Sequence, residues 1–416
     1  MAPENQSNPN PAPRTGWGPG LLVAATGVGA GDLIAAAVAG KAFGVSVLWV
    51  VVVGAVFKFL LNEGIARWHL ATGTSVIGGW AQYLPRWISW YFGMYLLIWG
   101  FLVAAALGSS AGLAFKSLWP SAPGSVAVWA VIHALLGWAI VTWGRFDLFE
   151  KAMRVLIAVM FTVVLICGWQ LMPAAGEVLK GLLWPAVPRD GLWLLLGLMG
   201  GVGGSATMLC YGYWMRERGW QGIAVLKGAR KDLAVAYGLT AVFGLAMVII
   251  AAGAQPEDAS GTALVLALSD RLGELLGPWG RGIFLVGFWC AVTSSLIGVW
   301  QGVPYLFADW WKQVIRRDRG DTELKVDPAY RWFLAFLAVP PLCMQLMDRP
   351  LFIVVLYAVV GAFFMPLLAG TLLVLNNRTR ELGELRNRPW VNVGLALSLV
   401  LFAVLFVLEV SKRLEG

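Results

Sequence analysis

The chain has 416 residues, 59% of them hydrophobic and 13% charged, with a formal net charge of +8 and a mean hydropathy of +0.73. A soluble domain carries about 25% charged residues, so these values exclude a water-soluble domain and specify a polytopic membrane protein. Its basic excess sits mostly in loops and reads as topology, not as nucleic-acid binding.

Residues 1–17 are polar and proline-rich and read as a disordered cytoplasmic tail, because no apolar core or cleavage site follows a basic start. A span needs about 20 apolar residues, and eleven are predicted: 18–40, 45–66, 88–116, 125–143, 150–172, 192–213, 233–253, 281–306, 330–347, 351–375 and 391–410. Lysine and arginine sort by alternate loops. The richer set includes Arg67, Arg86, Arg145, Lys151, Arg154, Arg216, Arg218, Lys227, Arg230, Lys231, the run from Lys312 to Arg331, and Arg378 to Arg388. The poorer set holds Lys41, Lys116, Lys180, Arg189, Arg271, Arg281, Arg349, Lys412 and Arg413. The positive-inside rule then puts the N-terminus in the cytoplasm and the C-terminus outside. The four cysteines, Cys167, Cys210, Cys290 and Cys343, lie in apolar runs with no CxxC or metal spacing and read as buried small hydrophobes. The 23 tryptophans suit membrane interfaces.

Two predicted spans are interrupted by glycine. The first carries Gly27, Gly29 and Gly31 ahead of Asp32; the sixth carries Gly200, Gly201, Gly203, Gly204 and Ser205. Breaks at membrane depth are tolerated only where the freed backbone is buried in protein or lines a cavity, and a matching pair points to the binding site of a secondary transporter. Each broken span opens a block of five, 18–172 and 192–375, and an odd block length inverts the second copy relative to the first. The predicted architecture is therefore all-α and LeuT-like, with two inverted five-helix repeats and an added span at 391–410.

Several runs resemble a known family. GPGLLVAATGVGAGDLIAAAVAGKAFGVSVLWV is similar to spans 1 and 2 of the Nramp divalent-metal transporters, as are IARWHLATG after span 2 and FDLFEKAMRVLIAV entering span 5. AVTSSLIGVWQGVPYLFADW resembles span 8, and PLLAGTLLVLNNRTRELGELRNRPWVN the junction of spans 10 and 11. Where the family carries Asp-Pro-Gly-Asn, with Asp and Asn as metal ligands, this chain reads Gly29-Ala30-Gly31-Asp32: the carboxylate has moved three residues along. Where the family has Ala-Thr-Val-Met-Pro-His in span 6, this chain reads Gly204 to Cys210, with Met208 matching the family methionine and no Pro or His. The acids that the family uses for proton transfer in span 3 are absent. The pattern is similar to that of the Nramp-related magnesium transporters, a divergent branch.

Asp32 is the first candidate ligand, since an ionisable group at this depth is costly and functional by default; the alternative is an ion pair with Lys58 that ties two helices. One carboxylate with backbone oxygens, Gly29, Gly31, Gly203, Gly204 and Ser205 being the candidates beside it, makes a hard oxygen site that suits Mg²⁺, Mn²⁺ or Ca²⁺ better than soft metals, with Mg²⁺ or Mn²⁺ expected. Small-residue packing is the competing role for the glycines. Met208 would bring a softer thioether, or simply pack. Lys58, Glu63 and Gln301 are candidates for the cavity or for coupling. Glu63 can instead pair with Arg67 at i,i+4, Lys58 has Asp32 and Glu63 as possible partners, and Gln301, with Thr293, Ser294 and Ser295, could equally bond between helices. His69, in a loop after span 2, and His133, in span 4, read as structural. The expected function is carriage of a divalent cation by alternating access, with weak or no proton coupling, by a monomer in a bacterial inner membrane. The ion is the substrate: no cofactor, nucleic acid or enzymatic step is expected. The competing expectation is an amino-acid or other small organic or anionic solute on the same fold.

Overall fold

The structure is a computed structural model that describes residues 18–188, 191–201, 204–256, 261–318, 323–347 and 363–414, with 320, 353, 356, 357, 360 and 361. Gly203, the 1–17 tail and much of the predicted span 351–375 lie outside the described residues. The first predicted span is two half-helices, α1 (Gly20–Gly27) and α2 (Ala30–Phe43). They are followed by α3 (Leu48–Thr72), a short α4 (Val76–Tyr83), α5 (Arg86–Leu118), α6 (Val126–Trp143), α7 (Phe146–Gln170) and α8 (Ala175–Leu183). The sixth predicted span is again two halves, α9 (Leu192–Gly201) and α10 (Cys210–Glu217), joined through a 3₁₀ turn at Ala206–Leu209. Then come α11 (Leu226–Ala254), α12 (Gly261–Leu276), α13 (Pro278–Trp310), α14 (Pro328–Ala338), α15 (Phe364–Leu375), α16 (Thr379–Leu382) and α17 (Pro389–Leu414).

The described residues contain six helical stretches long and apolar enough to cross a bilayer, one of them the continuous run Ala30–Thr72. The sixth predicted span adds no stretch because it is broken into halves, whereas the second half of the first is counted within Ala30–Thr72. Exposed tryptophans mark the helix ends: Trp87 and Trp90 on α5, Trp119 just after it, Trp143 on α6, Trp169 on α7, Trp279 on α13 and Trp390 on α17. That distribution is the aromatic belt of a membrane-embedded protein.

Four expectations change. The helix predicted to end at 66 runs on to Thr72, where Gly73 takes φ +69°, so His69 is helical and buried and not in a loop. The span predicted at 330–347 is α14 followed by a 3₁₀ segment from Pro340, because two consecutive prolines remove donors and clash with the preceding turn. Cys343, in that segment, is exposed, while Cys167, Cys210 and Cys290 are buried. Stretches read as loops form α4, α8 and α12; in α12, Leu264, Val265, Leu268 and Leu272 make one buried stripe at helical spacing.

Helix α13 is the hub, packed on α5, α7, α12, α14 and α1, while α11 packs on α1, α2 and α3. Both half-helices of the first span therefore lie between two long helices. Close approach depends on glycine at a few places. At Gly40 a Cβ would lie 2.9 Å from Val248 Cα, so α2 and α11 touch backbone to backbone.

Candidate functional site: two broken helices around Asp32

Glycine in a helix interior costs about 1 kcal/mol relative to alanine, and three in five residues end α1 at Gly27. The Val28 N–H still bonds Ala24 O at 2.9 Å, then the chain turns out of the helix, and Gly29 is extended at φ −126°, ψ −165°. What requires glycine at 29 is space: a Cβ would stand 2.8 Å from Ser295 Oγ. The orphan groups are met by side chains, as a buried break demands. Ser294 Oγ donates to Ala25 O at 3.0 Å and Ser295 Oγ to Thr26 O at 2.7 Å, both from α13. At the start of α2, Asp32 Oδ2 accepts the Gly29 N–H at 3.0 Å. A carboxylate three residues into a helix also complements its positive end.

The second break is sharper. Gly204 takes φ +79°, a left-handed conformation that favours glycine, and Ser205 follows at φ −123°, ψ −106°. A Cβ on Gly204 would lie 2.7 Å from Thr207 Oγ1 and 3.2 Å from Gly27 Cα, so the two breaks touch at glycine. Into this junction reaches Lys58 of α3. Its side chain is completely buried, its Nζ donates to Gly204 O, and it interacts electrostatically with Asp32. The approach of α3 is permitted by Gly54, where a Cβ would stand 3.0 Å from Met199 O of α9.

Together the breaks line a narrow cavity, with Thr26, Gly27, Gly29, Ala30, Gly31, Asp32, Gly204 and Thr207 in its wall. Ser295 and Val299 of α13, Trp99, Val103 and Leu107 of α5, and Tyr357 complete the wall. Among the described lining residues Asp32 is the one carboxylate, and no group of three or more His, Cys, Asp or Glu side chains converges anywhere in the described residues. The Thr26 hydroxyl and the Trp99 indole N–H are buried without a hydrogen-bond partner. The chemistry on offer is one carboxylate, hydroxyls and backbone oxygens: a hard, oxygen-rich surface.

The structure gathers Gly29, Gly31, Asp32 and Gly204 at the cavity and brings Lys58 to its edge. Ser205 lies at the second break, its Oγ 3.8 Å from where a Cβ on Gly361 would stand. Met208 is wholly buried in the 3₁₀ turn and is not among the lining residues, whereas its neighbour Thr207 is. Glu63 is away from the cavity, bonded to Arg67 at 3.2 Å and Arg230 at 2.9 Å, and Arg67 goes on to Leu385 O and Asn387. Gln301 accepts from the Trp214 indole at 2.5 Å, tying α13 to α10. His133 bonds Trp129 O and accepts from Trp289, a structural role. Sequence reasoning missed Thr26, Trp99, Tyr357 and Thr207. Only Thr26, beside Gly27, and Thr207, three residues past Gly204, had a local signal.

Gly204→Ala is expected to lower affinity for the cavity's ligand at least tenfold, since Thr207 can rotate away but the Gly27 backbone cannot unless the breaks separate. Gly31→Ala, whose Cβ would meet Tyr357 at an ordinary 3.6 Å, should stay within about twofold. Binding isotherms on the two variants separate these outcomes.

The Nramp family model, described as natural resistance-associated macrophage protein-like, matches residues 20–411. The chain belongs to the Nramp family. Among its Nramp relatives is the divalent metal cation transporter MntH of Klebsiella pneumoniae strain 342, 24% identical over 390 residues, covering 90% of this chain and 89% of that one. The fold is similar to that of the Eremococcus coleocola manganese transporter, with a TM-score of 0.78 at 18% identity over 95% of this chain and 86% of that one. It is also similar to MhsT in complex with L-phenylalanine, with a TM-score of 0.59 at 15% identity over 95% and 99% of the two chains. This Nramp protein is thus an all-helical, LeuT-like membrane protein.

Proposed function

We propose that this Nramp protein carries a hard divalent cation, Mn²⁺ or Mg²⁺, across a bacterial inner membrane by alternating access. The observation that carries the reading is the meeting of both broken helices at one cavity whose carboxylate is Asp32. The names of its relatives, a divalent metal cation transporter and a manganese transporter, support the same substrate class. Asp32, the carbonyls of the two breaks and the Thr26 and Thr207 hydroxyls act as ligands, and retained waters complete the shell of an ion that dehydrates reluctantly.

Transport proceeds as the repeats 18–172 and 192–375 rock against each other around this site. With the N-terminus cytoplasmic, α1 and α10 are the inner halves of their spans. Both are almost wholly buried while Asp32 and its half-helix α2 are only partly so, an arrangement that suits a site closed toward the cytoplasm. His69 sits apart from the cavity, bonded to Thr74 O, and the lining offers no histidine, so transport proceeds with little or no proton movement.

Titration of the purified protein with Mn²⁺, Mg²⁺ and Ca²⁺, and separately with a panel of amino acids, tests the reading. Saturable binding of a divalent ion, unaffected by amino acids, is expected. Amino-acid binding with no response to any divalent ion would replace it with an organic solute carrier.

A further inference from the structure

We propose that Lys58 is a tethered resident cation that occupies part of the cation's ligand set and must be displaced from the Gly204 carbonyl before a divalent ion can bind. The proposal rests on the cation reading above and deepens it.

Three observations carry it. The first is position. Lys58 comes from α3, outside both breaks, yet its Nζ donates to the carbonyl of Gly204, the residue whose left-handed backbone forms the second break and lines the cavity. An unwound carbonyl at this point is the type of oxygen that coordinates a cation in a broken-helix transporter. Lys58 therefore takes with an ammonium what a metal would take as a ligand.

The second is charge. Asp32 and Lys58 interact electrostatically, and the Lys58 side chain is completely buried. With both groups ionised the pair is neutral. A divalent ion beside Asp32 would raise the local charge to +2 with Lys58 in place, against +1 without it, in surroundings where charge is poorly screened. A lysine fixed there lowers affinity for every divalent ion and disfavours those held mainly by charge.

The third is the contrast between Lys58 and the other buried charges around it. The other buried charged groups on neighbouring elements are committed to ties between helices. Glu63 holds Arg67 and Arg230, Glu150 holds Arg218 and Arg154, Asp232 accepts from Gly20 and Tyr211, and Asp309 accepts from Ser75 and Tyr213. Each joins side chains or helix ends away from the breaks. Lys58 alone among them contacts a break carbonyl. Its four-carbon stem has the freedom to withdraw, and the Phe402 ring, 6.0 Å from Nζ, offers a face that could receive the ammonium once it leaves.

The test is isothermal titration of full-length wild type, Lys58→Met, Lys58→Arg and Lys58→Met/Asp32→Asn with Mn²⁺ and Mg²⁺, each variant checked first by thermal unfolding. Lys58→Met is expected to bind both ions at least tenfold more tightly than wild type. Lys58→Arg should remain at or below wild-type affinity, and the double variant should lose the gain. Should Lys58→Met fail to fold, Lys58→Leu, which keeps neither the charge nor a donor for Gly204 O, is read in its place with the same expectation. Wild-type binding with no tightening in the neutral variant overturns the proposal for Lys58 and leaves the cation reading standing. A neutral variant that folds and, like wild type, binds no divalent ion removes the cation reading and this inference with it. Binding that emerges only in the neutral variant supports both.

Discussion

Asp32→Ala and Asp32→Asn should both weaken divalent binding by about 100-fold or more, because each removes the one carboxylate among the described residues of the cavity wall. The two differ in what else they remove. Asparagine keeps an oxygen that can accept the Gly29 N–H, so α2 retains its N-terminal bond. Alanine leaves that N–H without its 3.0 Å partner and should lose about 1 kcal/mol more stability. Both leave Lys58 buried opposite a neutral residue, which is destabilising in its own right. Adding Lys58→Met to Asp32→Asn restores electrical neutrality, so the double variant should recover thermal stability without recovering wild-type binding. Isotherms and unfolding midpoints on the four proteins separate ligand loss from fold loss. Binding that persists in Asp32→Asn would move the cation away from this carboxylate.

The breaks were legible because glycine is expensive in a helix and an acid is expensive in a membrane, and both costs show as composition: Gly27, Gly29, Gly31 and Asp32 within six residues, and four glycines before Ser205. The resemblance puts the family's aspartate on position 29 and its asparagine on 32. The structure supplies a physical reason why this chain reads otherwise: Ser295 fills the space into which a side chain at 29 would project, and its Oγ is committed to Thr26 O. No local pattern announces that. It comes from α13, more than 260 residues further along the chain. Trp99 and Tyr357 were hidden for the same reason, being two aromatics among many until the packing of distant spans turns them toward one cavity. Glu63–Arg67, by contrast, was readable from helical spacing alone, whereas its second partner, Arg230, was not. The helix ends went astray where propensity was overridden or read too broadly: α3 outlasts its apolar run by several residues because Arg67 is satisfied by Leu385 O and Asn387 and His69 by Thr74 O just past the helix, and Pro340–Pro341 cut short a segment whose hydropathy alone suggested a span.

Glu150→Ala should destabilise the protein by about 3–5 kcal/mol, the cost of breaking a buried ion pair by removing one partner. Glu150 lies in the first turns of α7 and binds Arg218, just past α10, with both residues buried. Its second partner, Arg154, is 42% exposed and contributes little to the balance. The asymmetry makes the prediction specific. Arg218→Ala leaves Glu150 with Arg154, able to reach solvent through it, and should cost less than Glu150→Ala, which leaves a guanidinium in a buried position. The double variant should recover part of the loss, since the buried guanidinium is then removed together with its carboxylate. Thermal unfolding of the three variants in one detergent supplies the cycle. The consequence reaches the site because Arg218 closes the half-helix that begins one turn after the second break: α10 is held at its far end by Glu150 and along its length by Trp214–Gln301 and Tyr213–Asp309. If these ties keep that half-helix in place, Glu150→Ala should also shift the protein toward the state open at α10. Faster labelling of a cysteine placed at Gly212, beside His69, would report that opening. Equal labelling with reduced stability would mean the pair supports the fold and has no part in the transport motion.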